Sequence, residues 1–274
     1  MMQPIFRRAA ELLAANRKFA LLHLVRVRGS SPGKAGFKLL VTESGERLGT
    51  IGGGDSERKM IEQAQAAMAE GKSRVLEYEL TIRPGNLVRS NCGGTNEVFI
   101  EVFMPKPCLL ILGAGHTARA LAAQCRALDY PYVILDDRPE YARREDFPGA
   151  LDVVQARGTE YLARTELPEF SHVVGLGYDS QFDLDALVPA IKRFGNKVRY
   201  GFIGSRPKAA RMADNAAARG LTPQEWALVK CPTGLNIGAQ TPAEIAVSII
   251  AEVVAGIPGR ESASWKHLEK EQQE

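Results

Sequence analysis

An apolar run that ends directly in a glycine turn is the feature that most constrains the fold of this 274-residue chain. Residues 109–112 are all aliphatic and are followed at once by Gly113, Ala114, Gly115 and His116. Such a turn lets backbone N–H groups approach an anion at the start of a helix, where the helix macrodipole also favours negative charge. We therefore predict a strand, a tight turn and a helix in this order.

The second half of the chain continues this alternation of apolar strands and helices. Its predicted strands cover residues 108–112, 132–135, 153–154, 172–176 and 198–203. Strands that alternate with helices form a parallel sheet covered by helices. Asp136 ends the second strand, where a dinucleotide-binding fold carries an acidic residue for the ribose. Residues 106–260 are thus predicted to form a Rossmann-like domain.

The turn supplies the first group of candidate ligand-binding residues. Gly113 and Gly115 would face a pyrophosphate, and Asp136, with Arg138 close by, would face a ribose hydroxyl group. His116 either donates a hydrogen bond to a phosphate or only caps and packs the helix start. The sequence leaves open whether a nucleotide is bound, because a fold can keep its scaffold after losing its ligand.

A second group of candidates follows the strand at residues 198–203. Ser205, Arg206 and Lys208 open the next helix, where they either bind a phosphate or form a solvated helix start. The sequence supports both interpretations equally.

The last predicted helix has the clearest ends in the chain. Thr241 is expected to cap it, Pro242 fits its first position, Glu244 completes a capping box, and Gly256 supplies the stop.

The first half of the chain favours an α+β domain over residues 1–105. An amphipathic helix is followed by predicted strands at residues 19–27, 37–42, 74–80 and 97–103. Pro105 and Pro107 mark the boundary to the second domain, and residues 261–274 form a charged tail.

Three consecutive glycines precede another predicted helix in this first domain. Gly52, Gly53 and Gly54 let the backbone come close to an anion, and Asp55 or Ser56 is expected to cap the helix.

Cys92 differs from the other three cysteines in its surroundings. It lies in a polar loop and is followed by Gly93 and Gly94, whose N–H groups would face whatever the sulfur contacts. Its spacing is compatible with a ligand or nucleophile and with an inert loop thiol. Cys108 and Cys125 have apolar neighbours and are assigned to packing, and Cys231 is left undecided.

Composition excludes several classes of protein. The net charge of +3 is too small for a nucleic-acid-binding surface. No apolar stretch is long enough to span a membrane, and the N-terminus lacks the apolar core of a signal peptide, so we expect a cytoplasmic protein. No pair of residues forms a convincing catalytic set.

Several motifs in order extend over nearly the whole chain. In the first half they are Gly29-Ser30-Ser31-Pro32, residues 49–54 with Glu57, and Cys92-Gly93-Gly94-Thr95 before residues 98–101. In the second half they are residues 113–116, 136–139, 201–208 and 238–246. Together these motifs resemble those of the XdhC/CoxI family, the accessory proteins that mature xanthine dehydrogenase and related molybdenum hydroxylases.

The resemblance implies a protein that binds molybdenum cofactor (molybdopterin), shields it during or after sulfuration, and delivers it to an apo molybdenum hydroxylase. It implies a cofactor-binding role for Cys92, whose thiolate is a soft ligand suited to such a metal. The glycine amides would bind oxo, sulfido or phosphate oxygens. The expected partners are the apo-hydroxylase, a cysteine desulfurase and a second copy of the chain.

The chain also departs from the family pattern. Where relatives often carry a histidine-containing stretch, residues 177–183 contain no histidine. Two other functions remain as alternatives. Gly113, Gly115 and Asp136 alone would suit an NAD(P)-dependent oxidoreductase, and a nucleotide fold without ligand would suit a pure interaction module.

Overall fold

The computed structural model describes residues 2–80 and 93–258. The chain divides into two compact units, which are residues 1–105 with 258–274 (unit 1) and residues 106–257 (unit 2). Cys92 and the tail at residues 261–274 lie outside the described residues.

Unit 1 is built on a five-stranded antiparallel sheet in the order β3-β2-β1-β5-β4. Its elements are α1 (Met2–Ala14), β1 (Phe19–Arg28), β2 (Lys38–Thr42), β3 (Arg47–Gly49), α2 (Gly54–Glu70), β4 (Arg74–Glu79) and β5 (Thr95–Phe103).

The central strand β1 is buried on both faces because a helix covers each one. Successive side chains of a strand point to opposite faces. Leu22 packs in the cluster that contains Met60 of α2, whereas Leu21 packs in the cluster that contains Ile5 and Leu12 of α1. The unit is therefore a helix–sheet–helix sandwich.

Unit 2 is built on a six-stranded sheet in which all neighbouring strands are parallel, in the order β11-β10-β9-β6-β7-β8. Its strands are β6 (Leu109–Leu112), β7 (Tyr132–Asp136), β8 (Asp152–Gln155), β9 (His172–Gly175), β10 (Arg199–Phe202) and β11 (Val229–Lys230). Its helices are α3 (His116–Ala127), α4 (Gly158–Leu162), α5 (Ser180–Phe194), α6 (Arg206–Ala218), α7 (Pro223–Trp226) and α8 (Pro242–Ala255).

The strand order of unit 2 is that of a dinucleotide-binding fold, in which the chain starts at the centre and reverses direction once. Helices cover both faces. Ile111 packs with Ile249 of α8 on one face, and Leu110 packs with Leu187 of α5 on the other. The predicted α/β class, with an α+β unit followed by a Rossmann-like parallel sheet, is confirmed.

The start of α2 differs from the prediction. The helix begins at Gly54 with Gly53 as the N-cap residue, which makes no side-chain capping bond. Ser56 instead donates its hydroxyl to the carbonyl oxygen of Gly53. The predicted cap by Asp55 or Ser56 is therefore wrong, because the carboxylate of Glu57 binds the amides of this turn instead.

The start of α8 agrees with the prediction. Thr241 accepts a hydrogen bond from the N–H of Glu244, and the Glu244 side chain accepts one from the N–H of Thr241. This reciprocal capping box satisfies two helix-end donors locally, so four consecutive residues determine it.

Candidate functional site

The turn after β6 requires glycine at its first position. Gly113 has a φ of +94°, and a Cβ there would lie 2.7 Å from the carbonyl oxygen of Leu176. Gly115 is the N-cap of α3 in extended backbone, with open space around it. His116 is exposed at the first position of α3. The predicted strand–turn–helix unit is present, with its two glycines in different roles.

Asp136 at the end of β7 is fully buried, and its carboxylate is already occupied. It accepts hydrogen bonds from the N–H of Ala114 at 2.8 Å and from the N–H of Arg138 at 3.0 Å. The Arg138 guanidinium adds two more, from Nε at 2.9 Å and Nη2 at 2.8 Å. A ribose hydroxyl could reach this carboxylate only if Arg138 moved away, so the geometry does not fit the contact expected from the sequence.

Arg138 itself lies between two aromatic rings. The centre of its guanidinium is 3.8 Å from the ring centroid of Tyr141 and 4.1 Å from that of Tyr178. The Tyr178 hydroxyl donates to Asp137 at 3.3 Å. Sequence analysis missed both tyrosines, and the only local signal was that Tyr178 follows a glycine just after β9.

The residues that open α6 make contacts within their own chain. Ser205 caps the helix by accepting from the N–H of Lys208, and Arg206 is exposed. The Lys208 ammonium turns back to the carbonyl oxygen of Ile203 at 3.1 Å and to Asp183 at 3.4 Å. The lysine is therefore engaged with its own chain, which neither predicted interpretation included.

Asp183 is a fully buried carboxylate that the sequence did not indicate. Besides contacting Lys208, it accepts a hydrogen bond from the N–H of Gly177 at 2.9 Å. Burial raises the pKa of Asp183 to about 6, against the opposing attraction of Lys208. The side chain fixes the backbone just before Tyr178.

In unit 1, the glycines at residues 52–54 surround a carboxylate of their own chain. Glu57 accepts hydrogen bonds from the N–H groups of Ile51 at 3.0 Å and Gly53 at 3.1 Å, and from the hydroxyl of Thr50. The anion that these glycines were expected to approach is thus, in this structure, Glu57. Cβ atoms at Gly53 and Gly54 would still meet no atom within 4 Å, so the outer face of this turn is open.

Gly93 and Gly94 also have structural roles. The N–H of Gly93 donates to Leu80 at 2.7 Å, and the carbonyl oxygen of Gly94 accepts from the N–H of Leu80 at 2.7 Å. A Cβ at Gly94 would lie 2.2 Å from the carbonyl oxygen of Ser30. The expectation that both amides are free to face a ligand is therefore wrong for Gly93.

The glycine motifs of unit 1 meet at one end of its sheet. A Cβ at Gly29 would lie 3.2 Å from Cα of Gly94, and one at Gly52 would lie 2.9 Å from the nitrogen of Gly33. The loops at residues 29–33, 49–54 and 93–94 are thus in direct backbone contact. The residue that precedes Gly93, Cys92, lies outside the described residues.

These motifs also decide the family. Residues 109–253 match the family model of the XdhC Rossmann domain, and residues 12–79 match that of the XdhC and CoxI family. The chain belongs to the XdhC and CoxI family.

Two curated relatives show similarity over much of the chain. Uncharacterized protein YqeB of Escherichia coli (strain K12) is 32% identical over 252 residues, which are 91% of this chain and 46% of that protein. A probable xanthine dehydrogenase subunit from Bacillus subtilis (strain 168) is 29% identical over 160 residues, 58% of this chain and 46% of the relative. The chain spans just under half the length of these relatives.

A solved structure has the same fold. The crystal structure of a xanthine dehydrogenase from Bacillus halodurans superposes with a TM-score of 0.50 at 22% identity, covering 94% of this chain and 97% of that chain. At this identity the likeness shows a shared fold and nothing more.

The described cysteines of this family member differ in accessibility. Cys108 and Cys125 are buried, and burial raises the pKa of both thiols to about 12, as expected for packing residues. Cys231 is half-buried, its sulfur 3.6 Å from the carbonyl oxygen of Gly204, and it lines a cavity of about 520 Å³ next to residues 232–239.

Two further observations concern residues 2–80 and 93–258. No helix in these ranges is long and apolar enough to cross a membrane. The same residues contain no group of three or more His, Cys, Asp and Glu side chains placed to hold a metal ion.

Proposed function

We propose that this protein is an accessory protein of a xanthine dehydrogenase-type molybdenum hydroxylase, and that it binds, protects and delivers the molybdenum cofactor. Membership of the XdhC and CoxI family and the name of the Bacillus subtilis relative support the accessory role. The single observation that carries the cofactor site is the backbone contact among three glycine-bearing loops of unit 1, at residues 29–33, 49–54 and 93–94. The third of these loops directly follows Cys92 in the sequence.

The chemistry of these loops suits a metal-bearing pterin. A cysteine thiolate is a soft ligand for such a metal, and glycine-rich backbone permits close approach of oxo, sulfido or phosphate oxygens. In the proposed site Cys92 holds the metal, and the open side of the turn at Gly53 and Gly54 accommodates the ligand. Because Glu57 already occupies the inner amides, an anionic group would approach this turn from its outer side.

Two other proteins and a second copy of the chain are the proposed partners. The apo-hydroxylase receives the cofactor, a cysteine desulfurase supplies the sulfur, and a second copy of the chain forms a homodimer. All of these steps would take place in the cytoplasm.

Anaerobic copurification from cells that make the cofactor tests the proposal. The wild-type protein should carry molybdenum and pterin near one per chain, and Cys92→Ser should lose most of both. Cys231→Ser is the matched control, because its thiol lies in unit 2, and it should keep the wild-type load. A wild-type load near zero, or an unchanged load in Cys92→Ser, would contradict the proposed site.

The strand order of unit 2 favours one alternative, an NAD(P)-dependent oxidoreductase. Titration of the wild-type protein with NADH and NADPH, followed by fluorescence, separates the two functions. A dehydrogenase binds one of them in the micromolar range, whereas the accessory function requires neither.

A further inference from the structure

The crevice in which a Rossmann fold binds a dinucleotide lies at a defined place in unit 2. Strand β6 lies between β9 and β7, and the glycine turn at residues 113–115 follows β6. A dinucleotide would cross this turn, with its pyrophosphate at the start of α3 and its adenosine ribose at the end of β7. Side chains that join the loops after β7 and β9 therefore cross the same space.

Such a connection is present. We call Tyr141, Arg138 and Tyr178 the Arg138 stack. Arg138 and Tyr141 follow β7 and Tyr178 follows β9, so the stack runs from one side of the glycine turn to the other. The hydrogen bond from the Tyr178 hydroxyl to Asp137 ties the same two loops together a second time.

The backbone segments next to the Arg138 stack also lie in close contact. A Cβ on Gly113 would lie 3.0 Å from Cα of Gly177, so the loop after β9 rests directly on the glycine turn. Asp183 holds the N–H of Gly177 at 2.9 Å, which fixes the residue immediately before Tyr178. The Tyr178 side chain is consequently the movable part, and it is 52% exposed.

We propose that Tyr178 is a latch that closes the dinucleotide crevice of unit 2, so that the crevice admits a dinucleotide only after this ring has swung away from Arg138. In the closed state the Arg138 guanidinium occupies the place of the ribose and is anchored by Asp136, so Arg138 also has to leave this place once the ring no longer covers it. This inference concerns unit 2 alone and goes beyond the proposed cofactor site, which lies in unit 1.

The expected effect of removing the latch is moderate. A cation above an aromatic ring in a partly exposed position is held by a weak attraction, and a site that is only fractionally open binds more weakly by that fraction. Removal of the Tyr178 ring should therefore strengthen dinucleotide binding by about tenfold.

The test compares the full-length wild-type protein with Tyr178→Ala and Tyr178→Phe, using NADH and NADPH as probes in fluorescence titrations. Tyr178→Phe is the matched control, because it keeps the ring on Arg138 and loses only the hydroxyl. We expect a dissociation constant above about 1 mM for the wild type and for Tyr178→Phe, and one about tenfold lower for Tyr178→Ala with at least one probe.

Three results would overturn the latch. These are equal affinities of the wild type and Tyr178→Ala, including no binding by either, micromolar binding by the wild type, and an equal gain in Tyr178→Phe. Because Tyr178 is exposed, Tyr178→Ala should retain the wild-type circular dichroism spectrum. Its molybdenum and pterin load should also be unchanged, so failure of the latch and failure of the proposed function are distinguishable.

Discussion

The two glycine turns of this protein, at residues 52–54 and 113–115, bind carboxylates that come from different places in the fold. In each, a carboxylate of the chain itself accepts a hydrogen bond from at least one turn amide. In unit 1 the carboxylate is Glu57, within the first turn of the helix that the glycines introduce, and the face at Gly53 stays open. In unit 2 it is Asp136, on the neighbouring strand, and the turn at Gly113 is covered by the loop after β9.

The difference shows what decides whether a glycine turn is available to a ligand. A carboxylate on the adjoining helix satisfies the inner amides and leaves the outer side of the turn free, because no other segment of the chain is needed to supply the acceptor. Asp136 belongs to another strand, and the loop after that strand places Arg138 against its carboxylate. Arg138 then occupies the position where the ribose of a dinucleotide would bind. We therefore expect ligand chemistry at the first turn and a closed structure at the second.

The largest expected effect comes from adding a methyl group to each turn. Gly113→Ala combines an unfavourable positive φ with a clash against the backbone of Leu176, so it should lower the free energy of unfolding by more than about 4 kcal/mol. Gly53→Ala meets no atom, so strain alone should cost about 1–3 kcal/mol. Gly115→Ala is the control and should cost less than about 1 kcal/mol.

Urea unfolding followed by circular dichroism measures these changes. Similar losses for Gly113→Ala and Gly53→Ala would mean that the two turns are equally open, which contradicts the comparison.

The next effect concerns the local carboxylate. Glu57→Ala removes three hydrogen bonds to a charged acceptor and should destabilise unit 1 by about 3–4 kcal/mol, because the amides of Ile51 and Gly53 lose their partner. Glu62→Ala on the same helix removes only exposed ion pairs and should cost less than about 1 kcal/mol. Equal losses in the two variants would show that Glu57 does not hold the turn.

Asp183 gives a prediction about pH, since its folded-state pKa of about 6 lies above the ordinary value of 3.8. A carboxyl group with a raised pKa contributes stability that is fully present below the unfolded pKa and is lost as pH rises through the folded pKa. Relative to Asp183→Asn, the wild type should therefore lose stability between about pH 4 and 6, by at most about 3 kcal/mol.

Thermal unfolding of both proteins from pH 4 to pH 8 measures this difference. Asp214→Asn, at an exposed position of α6, should run parallel to the wild type. If the stability of Asp183→Asn also changed with pH in parallel with that of the wild type, burial would not raise the pKa of the Asp183 carboxyl group.

The smallest effect is a rescue of the first turn by an external anion. Without Glu57 the N–H groups of Ile51 and Gly53 can donate hydrogen bonds to sulfate, which should stabilise Glu57→Ala by about 1 kcal/mol more than the wild type. Melting temperatures in sodium sulfate, with sodium chloride at equal ionic strength as reference, measure the gain. An identical sulfate effect on both proteins would mean that the turn does not form an anion site.

Sequence reasoning succeeded where short-range interactions determine the structure. The start of α8 follows from Thr241 and Glu244, which satisfy each other's backbone N–H groups, and the parallel sheet of unit 2 follows from the alternation of apolar strands with helices. The strands β3 and β11 were missed, because pieces of three and two residues exist only through pairing with a distant neighbour.

The candidate site was less predictable for a related reason. The position of Asp136 at a strand end indicated a ribose ligand, but the pattern does not reveal that Arg138 folds back onto it. Lys208 was likewise predicted either to bind a phosphate or to lie at a solvated helix start, whereas its ammonium group contacts the buried Asp183, 25 residues earlier in the chain. A polar residue's role depends on which partner the fold brings near, and periodicity carries no such information.

The edges of the two sheets have a consequence for how the protein behaves at high concentration. Exposed strand edges invite pairing with other molecules and lead to aggregation, and short or charged edge strands discourage it. Here β3 has three residues, β11 has two, and β4 carries Arg74, Glu77 and Glu79 along its length. Such edges offer few backbone groups with which a strand of another molecule could pair. We therefore expect the protein to contact its partners through loops and helices and not to polymerise through its sheets.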